Sequence, residues 1–197
     1  MKNIIVLYYS RDGSTRRMAN QISRGINSID GCEAMVRTVS EITSTEQQPV
    51  ESPDKKIDAP VITKQELRQA DGLIVGSPTR FGNMAAPLKH FFDSTSDIWL
   101  AGEMVDKPAA VFTSSSSMHG GQESTLFTMM LPLMHHGMLM VGLPYTESSL
   151  SETTRGGTPY GASHVADETT KSALDQHERT LCTALGKRVA DIAVKLS

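Results

Sequence analysis

Hydrophobic residues along this chain occur in two patterns, short uninterrupted runs and longer stretches with helical spacing. The first run, Ile4–Tyr9, holds six apolar or aromatic residues, which are too few for a typical helix. Its β-branched and aromatic side chains favour a central strand that is buried on both faces. The apolar residues that follow are spaced for one face of a helix: Met18, Ile22, Ile26 and Ile29. We expect Ser14 or Thr15 to be the N-cap of this helix.

The rest of the chain repeats this alternation of strands and helices. Four further runs predict strands: 34–39, 72–77, 107–113 and 138–143. The intervening patterns predict four further helices: 64–70, 85–94, about 122–136, and one that begins at about 172. Such alternation is typical of an α/β fold, in which helices cover both faces of a parallel sheet. Five strands favour a flavodoxin-like three-layer sandwich with the strand order 2-1-3-4-5.

Two polar segments interrupt the alternation. We expect residues 1–197 to form a single flavodoxin-like domain, with insertions at about 43–62 and 146–170. The second insertion is too long for an idle loop, so we expect it to be functional or to lie in a subunit interface. Ser172 and Asp175 resemble a capping box at the start of the last helix, although Asp replaces the usual Glu or Gln.

Polar loops follow three of the predicted strands, the first, third and fourth. The loops are Ser10–Thr15, Ser77–Met84 and Ser114–Gly121. Because neighbouring parallel strands end at the same edge of a sheet, the three loops should converge at the usual ligand position of this fold. The first loop runs into a helix N-terminus, where free N–H groups, the helix dipole and hydroxyls favour an anion. The sequence therefore predicts a phosphate site.

The glycine pattern of the first loop narrows the choice of phosphate ligand. The loop contains neither G-x-x-x-x-G-K-[ST] nor G-x-G-x-x-G, so it lacks both familiar nucleotide fingerprints. A single glycine, Gly13, among hydroxyls suits a terminal monophosphate held without a metal, such as that of FMN. Two other phosphate users of this fold are disfavoured. A phosphatase needs a Cys in the loop, and a receiver domain needs an Asp where the chain has Ser77-Pro78.

Composition excludes several classes of function. The formal charge of −3 and the absence of any run of Lys or Arg argue against nucleic acid as a partner. The longest apolar stretch, 131–145, is broken by His135, His136, Gly137 and Pro144, so we expect no membrane span. The apolar run at the start has only the length of a strand and is followed at once by charged residues, so we expect no secretory segment. Cys32 and Cys182 match no metal or redox spacing. They are interpreted as two free, buried thiols of a cytoplasmic protein.

Four blocks resemble the WrbA-type NAD(P)H:quinone oxidoreductases: Leu7–Ser10, Gly76–Met84, His135–Met138 and Arg155–Ala162. The resemblance covers essentially the whole chain, and its second and fourth blocks are long and specific. It implies a flavodoxin-like homotetramer that binds one FMN per subunit. It also implies that NADH or NADPH reduces quinones by two electrons, in a ping-pong cycle through reduced flavin.

The resemblance also implies a set of site residues. The FMN-phosphate loop corresponds to Ser10, Arg11, Asp12, Gly13, Ser14 and Thr15. The first ring loop corresponds to Pro78, Thr79, Arg80, Phe81, Gly82 and Asn83. The second ring loop corresponds to the region of Ser114, Ser115, Ser116 and Gly120. The active-site His corresponds to His135, which also contacts the cofactor. The pocket-lining Trp, usually delivered by a neighbouring subunit, corresponds to Trp99.

Two positions depart from the family pattern. Asp12 stands where the family often has Tyr or His near the nicotinamide, which puts its expected substrate contact in doubt. The Ser114–Gly121 loop replaces a sequence that is often Thr-Gly-Thr-Gly-Gly-like, so individual backbone donors cannot be carried over.

Ordinary structural explanations remain open for several of these residues. Ser14 and Thr15 suit plain caps, and Arg80 suits a surface ion pair. Trp99 suits packing, while His135 suits a helix C-terminus. A flavodoxin-like one-electron carrier without its own substrate is the alternative function. The near-neutral charge and the 146–170 insertion argue against it.

Overall fold

The computed structural model describes residues 1–42, 59–166 and 173–196. The strands are β1 (Lys2–Tyr8), β2 (Cys32–Thr38), β3 (Gly72–Pro78), β4 (Pro108–Ser115), β5 (Leu139–Met140) and β6 (Ala162–Val165). The helices are α1 (Ser14–Asn27), α2 (Lys64–Gln69), α3 (Ala86–Asp93), α4 (Ser96–Leu100), α5 (Gln122–His135), α6 (Ser149–Glu152) and α7 (Gln176–Lys195). All six strands belong to one parallel sheet.

The sheet confirms the predicted strand order and corrects the fifth strand. The order is β2-β1-β3-β4-β5, and β6 also pairs with β4. β5 pairs with Pro108 and Ala109, whereas β6 pairs with the stretch Phe112–Ser115. The fifth position is therefore shared by two short segments, one at each end of β4. The predicted strand 138–143 pairs over only two residues, because beyond Val141 the chain turns to Pro159, whose carbonyl accepts a hydrogen bond from Leu143.

The segment between the two halves of this edge is the predicted 146–170 insertion. It contains α6 and β6, neither of which the sequence pattern predicted. Residues 167–170 lie outside the described part of the chain, as do residues 43–58 of the other predicted insertion. After that gap, Val61 forms a bridge with Thr38, and Ile62 is buried. That the whole chain forms one domain stays a prediction.

Two apolar layers cover the sheet, which explains the unbroken apolar run in β1. Ile4 and Val6 belong to the core that includes α1 and α7, whereas Ile5 and Leu7 belong to the core that includes α2, α3 and α5. All four side chains are fully buried. A strand with both faces covered cannot alternate apolar and polar residues. The helices therefore cover both faces of the sheet, which confirms the three-layer arrangement predicted from the sequence.

Two glycines allow α1 and α7 to pack backbone against backbone. A Cβ on Gly25 would lie 2.1 Å from the carbonyl oxygen of Thr183. A Cβ on Gly186 would lie 2.1 Å from that of Ile22. Because no side chain separates the helices here, any larger residue would push them apart.

Both predicted helix caps need correction. Gly13, with φ of 85°, is the N-cap of α1, and neither Ser14 nor Thr15 caps it with a side chain. The capping box of α7 is formed by Asp175 and Glu178. Ser172 lies outside the described residues. Within residues 1–42, 59–166 and 173–196, no helix has the length and apolarity needed to cross a bilayer.

Candidate functional site

The carboxyl ends of β1, β3 and β4 surround a cavity of about 190 Å³. Its lining residues are Ser10, Arg11, Asp12, Ser14, Thr15, Pro78, Thr79, Arg80, Ser114, Ser115, Ser116 and Ala166. Sequence reasoning named every one of these except Ala166. The structure thus brings together three loops that are far apart in the sequence, at the position where this fold holds its ligands.

The first loop presents the N-terminus of α1 to this cavity. The Gly13 N–H group donates to Ser10 Oγ at 3.1 Å, which tightens the loop before the helix begins. Ser14 and Thr15 are buried, and Thr15 Oγ1 lies 3.1 Å from Ser114 Oγ at the end of β4. The first N–H groups of a helix have no acceptor within it, and no side chain of the described residues caps α1. This end of α1 can therefore bind an anion.

The second loop is a tight turn whose tip projects into solvent. Arg80 and Asn83 exchange backbone hydrogen bonds of 2.8 and 3.0 Å across the turn. Phe81 at the tip has φ of 52° and is fully exposed. An apolar side chain held there, in a backbone region that residues other than glycine rarely adopt, indicates a contact surface. Within the described residues Arg80 forms no ion pair, and its Nη1 donates to the Thr79 carbonyl at 2.9 Å.

The third loop is held in place by a buried polar network. Gln122 at the start of α5 donates from Nε2 to Ser115 Oγ at 2.9 Å. Its Oε1 accepts a hydrogen bond from Ser163 Oγ at 3.1 Å. The Ala166 N–H group donates to the Ser115 carbonyl at 2.7 Å. β6 and the residue after it therefore support the third loop, and neither Gln122 nor Ser163 was named from the sequence.

Five of the predicted site residues belong to the three loops but do not line the cavity: Gly13, Phe81, Gly82, Asn83 and Gly120. Their roles in binding a ligand stay predictions.

His135 and Trp99 lie at the opposite end of the sheet from the cavity. α5 begins next to the end of β4 and has 14 residues, so it carries His135 about 20 Å away. The chain then enters β5, which pairs with the first residues of β4. His136 Nε2 lies 2.9 Å from Thr95 Oγ1, which joins the start of α4 to the end of α5. Trp99 is therefore at the same end, and within one chain neither His135 nor Trp99 reaches the cavity.

Several cations surround the cavity and its rim. A Cβ placed on Gly13 would lie 2.9 Å from Arg17 Nη1 and 3.5 Å from Arg16 Nη2, so both guanidinium groups lie against the first loop. Arg11 and Arg80 line the cavity itself. These charges favour an anionic ligand, such as a phosphate group.

Two titratable groups near these elements have shifted pKa values. Burial, with the nearby Glu41 carboxylate, raises the pKa of Tyr9, while Arg80 and Arg11 oppose that shift. Burial also lowers the pKa of His136, helped by the neighbouring His135. His136 is thus predominantly neutral near pH 7, and its bond to Thr95 has a structural role.

A larger concavity, of about 790 Å³, lies along α1, α7 and the 144–147 segment. None of the three loops lines it, so it is not the candidate site despite its size. Across the described ranges, no group of three or more His, Cys, Asp or Glu side chains could hold a metal ion. Burial raises the pKa of both thiols, Cys32 and Cys182, so neither is poised as a nucleophile.

A parallel sheet of this order, with an anion site where its central strands end, defines a flavodoxin-like protein with a site for a phosphate-bearing ligand. Residues 3–149 match the family described as NADPH-dependent FMN reductase, and the chain belongs to that family. It is 41% identical, over 98% of both chains, to a protein of Syntrophobacter fumaroxidans named NAD(P)H dehydrogenase (quinone). A protein of Geobacter sulfurreducens with the same name is 41% identical over 99% of both chains.

Solved structures confirm the fold. A WrbA-like flavodoxin from Agrobacterium tumefaciens superposes over 100% of both chains, with a TM-score of 0.70 and 24% identity. Oxidised flavodoxin 2 from Bacillus cereus superposes over 99% of both chains, with a TM-score of 0.57 and 18% identity. Together with the curated relatives, these structures confirm the family resemblance stated from the sequence.

Proposed function

We propose that this chain is an FMN-dependent NAD(P)H:quinone oxidoreductase that reduces quinones by two electrons in a ping-pong cycle. The observation that carries the proposal is the cavity where β1, β3 and β4 end, which combines an uncapped helix N-terminus with hydroxyls and arginines. The full-length relatives named NAD(P)H dehydrogenase (quinone) support it further. They favour an enzyme over a one-electron carrier that has no substrate of its own.

The first loop, Ser10–Thr15, fits the phosphate of FMN. Its buried Ser14 and Thr15, the start of α1 and the nearby arginines suit a dianion without a metal. Pro78–Asn83 and Ser114–Ser116 would then flank the isoalloxazine ring. The cavity of about 190 Å³ is smaller than the roughly 300–1,000 Å³ of typical ligand pockets, so one chain would leave the ring largely outside.

When bound, FMN supplies the redox chemistry, taking two electrons from NADH or NADPH and passing them to a quinone. The chain's own residues would bind and orient the cofactor and the substrates and stabilise the charge that develops on them. Donors in the Thr79–Asn83 turn would stabilise negative charge on the ring, and Asp12 at the rim would lie next to the nicotinamide. A quinone would use the same slot after the nicotinamide leaves.

A second copy of the chain would complete this site. Large apolar side chains are exposed along α5, at the i, i+4 and i+7 positions Phe127, Leu131 and Met134. Around α4, Trp99 is 50% exposed and Leu100 is 76% exposed. This surface of α4 and α5, here called the α4–α5 surface, is apolar enough to be an interface. It also carries His135, so packing against a neighbour would bring that residue to another chain's cavity.

We infer a homotetramer, in which Trp99 lines the substrate pocket and His135 hydrogen-bonds a quinone oxygen as charge develops there. The family resemblance supplies the number of subunits, and the distance between His135 and the cavity supplies the need for a second chain. We also infer a cytoplasmic enzyme with small-molecule partners, without nucleic acid or membrane partners. Its two unpaired thiols are in keeping with a reducing compartment.

A visible spectrum of the purified protein tests the proposed function. A flavin spectrum should be present or appear on adding FMN. It should bleach with NADH or NADPH and return when benzoquinone is added under anaerobic conditions. A protein that refuses FMN contradicts the cofactor assignment. A flavoprotein that bleaches only in light, and never with NADH or NADPH, supports the one-electron carrier instead.

A further inference from the structure

A buried His–Glu pair lies directly behind the cavity and has no role in the function proposed above. His164 in β6 and Glu178 in the first turn of α7 are both 0% exposed. His164 Nδ1 lies 2.8 Å from Glu178 Oε2. Buried ionisable pairs are costly to maintain, so a pair at this depth needs a structural or functional explanation.

Glu178 is an ionised carboxylate that joins three parts of the fold. It accepts hydrogen bonds from the N–H groups of Val165 at 3.0 Å, Gly156 at 3.3 Å and Asp175 at 2.9 Å. Burial alone would raise the pKa of this carboxyl, but the His164 ring and the backbone donors outweigh it and hold the pKa below its ordinary value. Because the carboxylate only accepts, His164 Nδ1 carries the hydrogen in this bond.

The other ring nitrogen of His164 has no such partner. Nε2 points away from Glu178, is buried, and finds no hydrogen-bond partner among the described residues. In a neutral ring with hydrogen on Nδ1, Nε2 is the atom that gains or loses a proton. A buried polar atom without a hydrogen-bond partner calls for an explanation.

The strand register relates this ring to the cavity. His164 is paired with Ser114 on the adjacent parallel strand β4, so both side chains leave the same face of the sheet, about 5 Å apart. Ser114 Oγ lies 3.1 Å from Thr15 Oγ1, and both residues line the cavity. His164 is therefore the neighbour, on the adjacent strand, of a residue that lines the cavity in which the phosphate would bind.

The charged and titratable groups at the N-cap and first turns of α7 are Asp175, His177, Glu178, Arg179 and Cys182. Arg155 lies before β6, Arg11 and Asp12 lie in the loop before α1, and Arg16 and Arg17 lie in its first turn. Arg155 donates to the Val165 carbonyl, and the α1 arginines lie at the front of the cavity. Glu178 is thus the charge in direct contact with the ring. A phosphate monoester adds close to two negative charges at pH 7 and above, because its second pKa is about 6.

We propose that His164 is a proton-coupled positioning residue for the cofactor phosphate. Its Nε2 takes up a proton from solvent when the dianionic phosphate enters the cavity and returns it when the phosphate leaves. The imidazolium is bonded to Glu178 through Nδ1 and shares a face of the sheet with Ser114. From there it offsets the charge of the phosphate. This inference rests on the proposed position of the FMN phosphate at the start of α1.

The sign of the expected pH dependence follows from linkage. Because the protonated ring is favoured when phosphate is bound, the extra affinity for FMN is present at low pH and is lost as pH rises and the ring gives up this proton. A nearby opposite charge changes a protonation equilibrium by about tenfold or more, so FMN affinity should fall by a similar factor over the same rise in pH.

Calorimetry on the full-length chain after removal of FMN measures the coupling directly. FMN is titrated at pH 7.5 in two buffers that differ in ionisation heat, and riboflavin, which lacks the phosphate, is titrated as the comparison. We expect FMN binding to take up a measurable fraction of a proton, at most about one, and riboflavin binding to take up none. No uptake with FMN would overturn the proposal.

His164→Gln and His177→Gln form a matched pair of variants. His177 is a half-buried His one residue before Glu178, bonded to Ser149. His164→Gln should abolish proton uptake and weaken FMN binding about tenfold at pH 7, while His177→Gln should leave both unchanged. Proton uptake that persists in His164→Gln would overturn the proposal.

Imidazole ¹⁵N chemical shifts of the wild-type protein give a readout that does not depend on the folding of a variant. The His164 signals should indicate a neutral ring with hydrogen on Nδ1 before FMN is added, and a doubly protonated ring afterwards. An identical state before and after would overturn the proposal. If FMN and riboflavin instead bind equally tightly, the phosphate does not bind in this cavity, and the cofactor placement itself fails.

Discussion

The two ends of the sheet differ in how far the predicted site residues of one chain are brought together there. At the carboxyl end, three loops from distant parts of the sequence meet around a cavity, and each is fixed by hydrogen bonds to its neighbours. At the amino end, His135 and Trp99 are exposed on an apolar surface, and neither lines the cavity. Under the function proposed above, one chain carries every residue assigned to the site but brings only part of them together. The remaining part would then come from a neighbouring chain.

The largest effect is expected at the carboxyl end, from Gly13→Val. Gly13 has φ of 85°, and a Cβ there would lie 2.9 Å from Arg17 Nη1. A β-branched residue cannot adopt this backbone without strain of about 1–3 kcal/mol, and its side chain would displace the arginine. We expect FMN affinity to fall at least about 100-fold, as measured by flavin fluorescence.

Gly31→Val is the matched control for this change. Gly31 has a similar φ of 79° but has open space around it. Its carbonyl accepts a hydrogen bond from Lys2 at the first residue of β1, so it lies at the end of the sheet opposite the cavity. It should lose stability without losing FMN. Equal loss of FMN in both variants would mean that general strain, rather than the first loop, controls binding.

The next largest effect is expected at the amino end, from the double change Leu131→Glu and Met134→Glu. Both side chains are more than half exposed on the α4–α5 surface, so the substitutions do not disturb the core. Two carboxylates in an apolar interface are unpaired and desolvated, which should weaken association at least about 100-fold. Light scattering after size exclusion should detect smaller assemblies, and quinone turnover should fall with them.

Leu196→Glu, at an equally exposed apolar position after the end of α7, serves as the comparison and should leave the assembly unchanged. If the double variant remains assembled and active, the α4–α5 surface is not the interface.

A smaller effect is expected from His135→Ala, because it removes one hydrogen bond and leaves the cavity intact. A hydrogen bond to a charged group contributes about 1.5–3 kcal/mol, so quinone turnover should fall about tenfold to 100-fold. Flavin content should stay nearly unchanged. Turnover and flavin content can be followed together by stopped-flow absorbance. His90→Ala, an exposed His on α3, should alter neither. Loss of flavin in His135→Ala would assign this residue to cofactor binding instead.

The smallest effect is expected from Trp99→Ala. An aromatic contact contributes about 0.5–1.5 kcal/mol beyond area burial, so the KM for the quinone should rise about three- to tenfold with little change in kcat. Leu100→Ala, at the neighbouring and more exposed position, controls for general damage to α4. An unchanged KM in Trp99→Ala would argue against its role as a pocket wall.

The sequence could predict the elements whose burial is local and complete. β1 and β3 were found because each is an uninterrupted apolar run that ends in hydroxyls, and covered parallel strands require that pattern. For the same reason the sequence alone assigns the three loops to one edge of the sheet. Spacing likewise located α5, since Leu126, Met129 and Leu133 are all fully buried.

What the sequence could not predict depends on long-range pairing. Residues 162–165 read Ala-Ser-His-Val, and they form a strand only because β4 offers its free edge to them. Gln122 and Glu178 look like ordinary helix-surface residues, yet both are buried as acceptors for distant donors. The cap of α1 was missed because Ser and Thr are favoured at N-caps, whereas here Gly13 takes that place and Thr15 bonds to β4 instead.

The glycine contact between α1 and α7 has a consequence for how the protein responds to proteolysis. The backbones of the two helices are in direct contact at Gly25 and Gly186, with no side chain between them that could change its conformation. The position of α1, and hence of the Ser10–Gly13 turn before it, therefore depends on α7, a helix that is distant in the sequence. Proteolytic cleavage within α7 should therefore weaken binding of the prosthetic group before the sheet itself unfolds.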